Sequence, residues 1–196
     1  GAVSVTNGVE DGSFNALVRL SGGRTLPPFI TSLTGITAEQ LERDGVEKAD
    51  AAEEFSRLLT RENTLLVAYN AQFDLNFIYY FLQEQGRAAC LKHLKFLDAL
   101  TVYKDRRDYP HKLKDAIAAY GLEDAVQNSH RAVDDARAAA ALLWAMAEER
   151  DDLLEYENLF GYHPKYGVSG KRISSVTYLP QSFRRGEPLY ERARRG

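Results

Sequence analysis

Along the first 150 residues, short extended runs alternate with helical spacing, the pattern of an α/β domain. Residues 3–5 and 14–20 flank Asn7-Gly8 and Asp11-Gly12, turn dipeptides that predict a hairpin. After Pro27-Pro28, the stretch Thr37-Ala-Glu-Gln40 predicts a capping box at the start of a short helix, and 49–59 carries helical spacing. Residues 64–69 (TLLVAY) form a continuous apolar run ended by Asn70, the pattern of a buried strand. From Asp74 the spacing turns helical, with Leu75, Ile78, Phe81 and Leu82 on one side, until Gly86. A short strand is predicted at 95–98, a helix at 112–120 closed by Gly121, and a long alanine-rich helix at 131–149.

Composition narrows the class. The 196 residues are 44% apolar and 11% aromatic, which supports a sizeable core and excludes wholesale disorder. No apolar run approaches the roughly 18 residues of a membrane span, so no membrane partner is expected. The only cysteine, Cys90, excludes an internal disulfide framework, and a cytoplasmic, reducing location is the default expectation. Cys90-x-x-His93 lacks the second ligand pair that a zinc site needs. Charge is uneven: 1–157 is net -9, whereas 158–196 is net +6 and rich in Gly and Pro. Two segments are therefore expected, a domain over 1–150 and a basic, aromatic C-terminal extension over 151–196 made of turns and at most short strands such as 174–179. The extension interleaves Lys165, Lys171, Arg172, Arg184 and Arg185 with Tyr162, Tyr166, Tyr178 and Phe183, a mixture suited either to phosphates and bases or to draping over the domain.

Two places set an acidic residue at the start of a helix: Asn70-Ala-Gln-Phe73-Asp74 and His130-Arg-Ala-Val-Asp134-Asp135-Ala136. Turning about 100° per residue with Ala132 at zero puts Ala136, Ala139, Leu143 and Met146 within roughly 40° of it, Asp135 about 60° to one side and Asp134 about 160° away. Asp135 then borders the buried face and Asp134 points into water. The same construction puts Asp74 within about 40° of Ile78 and Phe81. Taken alone, Asp74 reads as an N-cap and His130 as a cap or loop residue. Two carboxylates converging at helix starts would repel unless a cation stood between them, and hard oxygen ligands suit magnesium or manganese.

Together, Asn-Ala-x-Phe-Asp at 70–74 and His-x-Ala-x-x-Asp-Ala at 130–136 resemble the second and third motifs of the DEDDh (DnaQ-like) 3′-to-5′ exonucleases, the proofreading family that includes the polymerase III epsilon subunit. Gly1-Ala-Val, Pro27-Pro28-Phe-Ile, Leu33-Thr-Gly-Ile-Thr37, Phe96-Leu-Asp98-Ala-Leu and His111-Lys-Leu113 extend the likeness over about 1–149. The resemblance implies an RNase H-like α/β fold whose five-stranded mixed sheet is flanked by helices, with two divalent metal ions, Mg2+ or Mn2+, held by four acidic residues. It makes Asp74 and Asp135 two of those metal ligands and His130 the general base. It further implies that Asn70 and Phe73 line the slot for the 3′-terminal nucleotide and that nucleoside monophosphates are released.

The family's first motif, Asp-x-Glu on the central first strand, has no counterpart before Gly1, and Glu10 and Asp11, expected in a turn, do not replace it. The single Met is Met146, so the expectation is a chain that begins inside the second strand of a longer protein. The expected activity is a metal-dependent 3′-to-5′ exonuclease acting on DNA or RNA 3′ ends, in replication proofreading or repair beside a polymerase or other repair protein. The alternative is a catalytically inactive nucleic-acid-binding or protein-interaction module on the same fold.

Overall fold

In this computed structural model residues 1–196 are described, except 21, 127–130 and 169. Asn7 and Gly8 take φ values of 52° and 81°, the left-handed pair that a two-residue hairpin turn requires. They join β1 (Ala2–Thr6) to the antiparallel β2 (Val9–Phe14), with Thr6 opposite Val9. The second strand thus lies earlier than the predicted 14–20, because Asn-Gly alone closes the turn. Asp11-Gly12 falls inside the strand, where Ser4 faces Gly12 but Val5 faces Glu10, so Asp11 is the extra residue of a bulge. Glu10 and Asp11 are strand residues bonded to Arg137 and to Thr6, which corrects their expected place in a turn.

Three helices follow. α1 (Pro28–Thr34) starts with Pro28, whose missing N–H is no loss in a first turn, and stops at Gly35 with φ 70°. Seven residues carry too little periodicity to announce it in the sequence. α2 (Ala38–Asp44) has the predicted capping box: Gln40 N donates to Thr37 Oγ1 (3.2 Å) and Thr37 N to Gln40 Oε1 (3.0 Å). α3 (Lys48–Leu59) buries Ala51, Ala52, Phe55 and Leu59.

The central unit is β3 (Leu65–Ala68) paired in parallel with β4 (Lys95–Asp98), Ala68 standing opposite Asp98. The crossover between them is α4 (Ala71–Glu84) and a 3-10 turn at Ala88–His93. Side chains alternate across this pair: Leu66, Ala68 and Phe96 join a cluster with Phe55, Leu75 and Leu82, while Leu65, Val67 and Leu97 join Val102, Leu142 and Met146. Both faces are covered, as parallel strands demand. After β4 come α5 (Ala99–Arg106), α6 (Leu113–Ala119) and α7 (Ala132–Glu149).

The C-terminal extension forms β5 (Leu159–Tyr162), the parallel β6 (Thr177–Pro180) and α8 (Leu189–Ala193). It packs into both clusters, with Phe160 in the first and Tyr156, Leu159 and Leu189 in the second. Asn158 hooks it to β4, donating from its N to Phe96 O (2.7 Å) and accepting from Phe96 N at Oδ1 (3.0 Å).

Among the described residues the strands form three two-stranded sheets, where the resemblance implied one of five strands. Among the described residues no strand pairs with the remaining edges of β1 and β3, both of which pack on α7. The apolar run predicted to be a buried strand is consequently only half-buried along all four residues of β3. Among the described residues no helix is long and apolar enough to cross a membrane.

Candidate active site

The turn after β3 is built by Asn70, which takes the left-handed conformation (φ 68°, ψ 50°) that asparagine tolerates better than most residues. α4 therefore begins at Ala71, three residues before the first helical position read from the sequence. Asp74 occupies the fourth position of the helix and is not its N-cap. The capping oxygen comes from another strand: Asp98 Oδ1 accepts from Asn70 N (2.9 Å) and Ala71 N (3.0 Å), and also from Leu100 N (3.2 Å) at the start of α5. Its Oδ2 accepts from Thr101 Oγ1 at 2.7 Å. Asp98 is buried, and burial holds its pKa above the ordinary carboxylate value against the pull of these donors. The sequence marked no role for it. An aspartate closing the apolar run Phe96-Leu97 and opening a helix was the signal that could have found it.

α7 repeats the placement. Its N-cap is Arg131, so Asp135 is again the fourth helical residue. The buried residues Ala138, Ala139, Leu142 and Met146 lie within about 60° of Asp135 on the helical wheel, centred on its own meridian. Asp135 heads the buried stripe and does not border it, and its Oδ1 is buried. The prediction from Ala132 fails because Ala132 itself is exposed. Asp134 is half-covered, its Oδ1 lying 3.9 Å from Arg137 Nη1, so it does not simply point into water.

The two aspartates are brought together. Burial raises the Asp74 pKa to about 6, its own backbone amide opposes that, and the carboxylates of Asp98 and Asp135 add to the rise. A Cβ on Gly1 would stand 2.5 Å from Val133 N, so the first residue lies tightly on the opening turn of α7, next to these acids.

At the same end of α4, Asn70 is exposed and Phe73 is 59% exposed, its ring 4.9 Å from that of Phe77. His130 lies outside the described residues. Asp74 and Asp135 offer the hard oxygen donors that magnesium or manganese takes, but Asp98 spends both oxygens on N–H and O–H donors. Among the described residues no group of three or more potential ligands is placed to hold a metal. The pair therefore fits as part of a ligand set, not as a complete two-metal site.

Comparison with known proteins gives this geometry its context. The exonuclease family RNase T matches residues 1–143. The 3′-5′ exonuclease DinG of Staphylococcus haemolyticus is 31% identical over 145 residues, 73% of this chain and 15% of DinG. The PolC-type DNA polymerase III of Clostridium perfringens is 32% identical over 169 residues, 85% of this chain and 11% of the polymerase. The chain thus spans a small part of the length of these curated relatives. Among solved structures, E. coli Exonuclease I in complex with a dA16 oligonucleotide superposes with a TM-score of 0.58 at 21% identity, over 68% of this chain and 32% of that one. An RNase H-like α/β fold and the match over 1–143 leave one assignment: the chain belongs to the RNase T exonuclease family, the DEDDh-type exonucleases that its two motifs resemble.

Proposed function

We propose that the chain carries the 3′-to-5′ exonuclease site of a DNA-processing protein, and that Asp74 and Asp135 are metal ligands in it. The observation that supports this reading is the pairing of two half-buried aspartates, each at the fourth position of its helix and close enough for Asp135 to raise the pKa of Asp74. Both lie near the positive ends of helix dipoles, where anions are held at lower cost. Two divalent ions, Mg2+ or Mn2+, when bound, would offset the charge that builds on the phosphate during displacement.

The chain's own residues do the rest. Asn70 and Phe73 hold the terminal nucleotide, the exposed ring offering a face to the base and the left-handed turn presenting the Asn70 side chain. His130 acts as general base: the water oxygen bonds to phosphorus, its proton passes to His130, and the bond to the preceding 3′ oxygen breaks, releasing a nucleoside monophosphate. The PolC-type DNA polymerase III relative supports DNA as substrate and a polymerase as neighbour, and a repair factor as neighbour and a cytoplasmic location belong to the same proposal. RNA 3′ ends carry the same chemistry.

The test is a pair of neighbouring substitutions. In the complete protein that supplies the Asp-x-Glu motif, Asp135→Ala should lower release of nucleotide from a labelled 3′ end by at least about a hundredfold, whereas Asp134→Ala, on the half-covered side beside Arg137, should stay within about threefold. Equal activity in the two variants overturns the assignment. A second reading, an inactive binding module, draws on the incomplete ligand set among the described residues. It predicts no tight binding of two Mn2+ ions and no nucleotide release by the complete protein.

A further inference from the structure

Outside the paired aspartates, the most unusual surface is a run of rings leading away from the Asn70 turn. Tyr69, the residue before Asn70, donates its hydroxyl to His111 O at 2.9 Å. The His111 ring lies 5.9 Å from Tyr109 and 6.0 Å from Phe183, and Phe183 lies 5.9 Å from Tyr109. Phe183 in turn sits 4.1 Å from His163, which sits 5.0 Å from Tyr166. His111 is buried, but Tyr109 is 69%, Tyr166 68% and Phe183 36% exposed. Single exposed rings are ordinary, whereas a contiguous run drawn from three separate loops marks a binding surface.

These loops are held in place. Arg185 N donates to Asp108 Oδ1 (3.0 Å), Gln181 Nε2 donates to Thr101 O (2.9 Å) and Asp105 Oδ1 (2.7 Å), and Lys165 N donates to His163 Nδ1 (3.2 Å). The rings are thus presented in advance of any ligand, which saves the ordering cost of binding. The charge beside them is positive. Lys165, Arg184 and Arg185 are exposed and, among the described residues, have no carboxylate within 4 Å, unlike Arg194 and Arg195, which pair with Glu155 and Glu187. The segment 158–196 that supplies them is net +6 against a body of net -9. His163, Tyr166 and Phe183 also lie beyond residue 143, where the family match ends.

We propose that this strip binds a single-stranded polynucleotide, bases stacking on Tyr109, Phe183 and Tyr166 and phosphates meeting Lys165, Arg184 and Arg185. Exposed rings, Phe183 with Lys104 Nζ 5.6 Å and Tyr166 with Lys165 Nζ 5.4 Å from the ring centre, fit unpaired bases and would gain little from a duplex, whose bases are already stacked. The direction in which the strand is fed to the Asn70 turn rests on the exonuclease reading. The binding itself does not.

The test is fluorescence anisotropy of the full chain with labelled oligothymidylate and oligouridylate of about 12 nucleotides, in EDTA so that no turnover is needed. Phe183→Ala and Tyr166→Ala should each weaken binding of the preferred oligonucleotide by roughly 5- to 100-fold. Arg184→Ala should flatten the salt dependence by about 0.7 in log-log slope, while Phe29→Ala, an exposed ring on α1, should change nothing. All of these side chains are exposed, and an unchanged urea midpoint identifies folded variants. The proposal is overturned if the unaltered chain does not bind, if a blunt duplex binds as tightly, or if the ring variants bind like the unaltered chain. Because Asp135→Ala should still bind, failure of the nuclease assignment and failure of the strip would appear in different assays.

Discussion

α4 and α7 each present an aspartate at the fourth helical position, yet the two helices are fixed at opposite ends. α4 is held at its start, where Asp98 takes the Asn70 and Ala71 amides one turn from Asp74. α7 is held at its finish: the buried Arg106 donates to Met146 O, and its guanidinium pairs with Glu149 and Asp152. Asp135 stands near the other end of that 18-residue helix, kept in place by the packing of Ala138, Ala139, Leu142 and Met146. Both clamps belong to one element, since Asp98 is the N-cap of α5 and Arg106 its last residue. A short buried helix between the two aspartate-bearing helices thus sets both, through a hydrogen-bonded cap on one and a salt bridge on the other.

The largest effect should come from cutting the cap. Asp98→Ala removes a buried acceptor from two amides of α4 and one of α5, and unpaired buried donors cost about 1–3 kcal/mol each. A loss on the order of 3 kcal/mol in urea unfolding is expected, with Asp98→Asn recovering at least half because its amide oxygen still accepts. A loss no greater than that of a surface substitution would show that α4 is held by its packing, as α7 is, and the contrast between the helices would collapse.

That cap also explains what was legible beforehand. The capping box of α2, the strand at 95–98 and the long final helix are written in adjacent residues, and each appears as predicted. Asn70 through Asp74 was legible as a motif but not as a helix start, because the oxygen that opens α4 lies 27 residues beyond Ala71 and no local spacing reports it. The hairpin was legible but its second strand was placed too late for a related reason: two adequate turn dipeptides compete locally, and the pairing of Thr6 with Val9 chooses Asn7-Gly8. On α7 the approach of Asp135 to the buried face was legible but its wheel was misaligned, since which alanines are buried depends on what packs against them.

A middle-sized effect tests whether the two helix starts sense one another. The folded pKa of Asp74, about 6, lies above its ordinary 3.8, so folding favours the protonated form. Its contribution is fully present below about 3.8 and is lost as pH rises through about 6, so metal-free protein should lose stability over that interval. Asp74→Asn should flatten this stretch of the stability profile. Asp135→Asn should move its midpoint down, because one of the carboxylates that raises the Asp74 pKa is gone. An unmoved midpoint would mean that the two starts are electrostatically independent.

The smallest expected effect concerns a side-chain tie near the start of α7. Arg137 on α7 grips Glu10 of β2 through Nε (3.1 Å) and Nη2 (2.8 Å), a two-pronged contact that looks like a counterpart to the Asp98 cap. Its setting is different: the side chains are 47% and 39% exposed, so water screens the charges and ordering two long chains offsets most of the gain. Glu10→Ala should leave the urea midpoint unchanged within measurement, at low salt as at high. If instead it destabilised the protein as Asp98→Ala does, the start of α7 would be pinned locally after all, and Asp135 would owe its position to β2 as much as to the buried stripe beneath it.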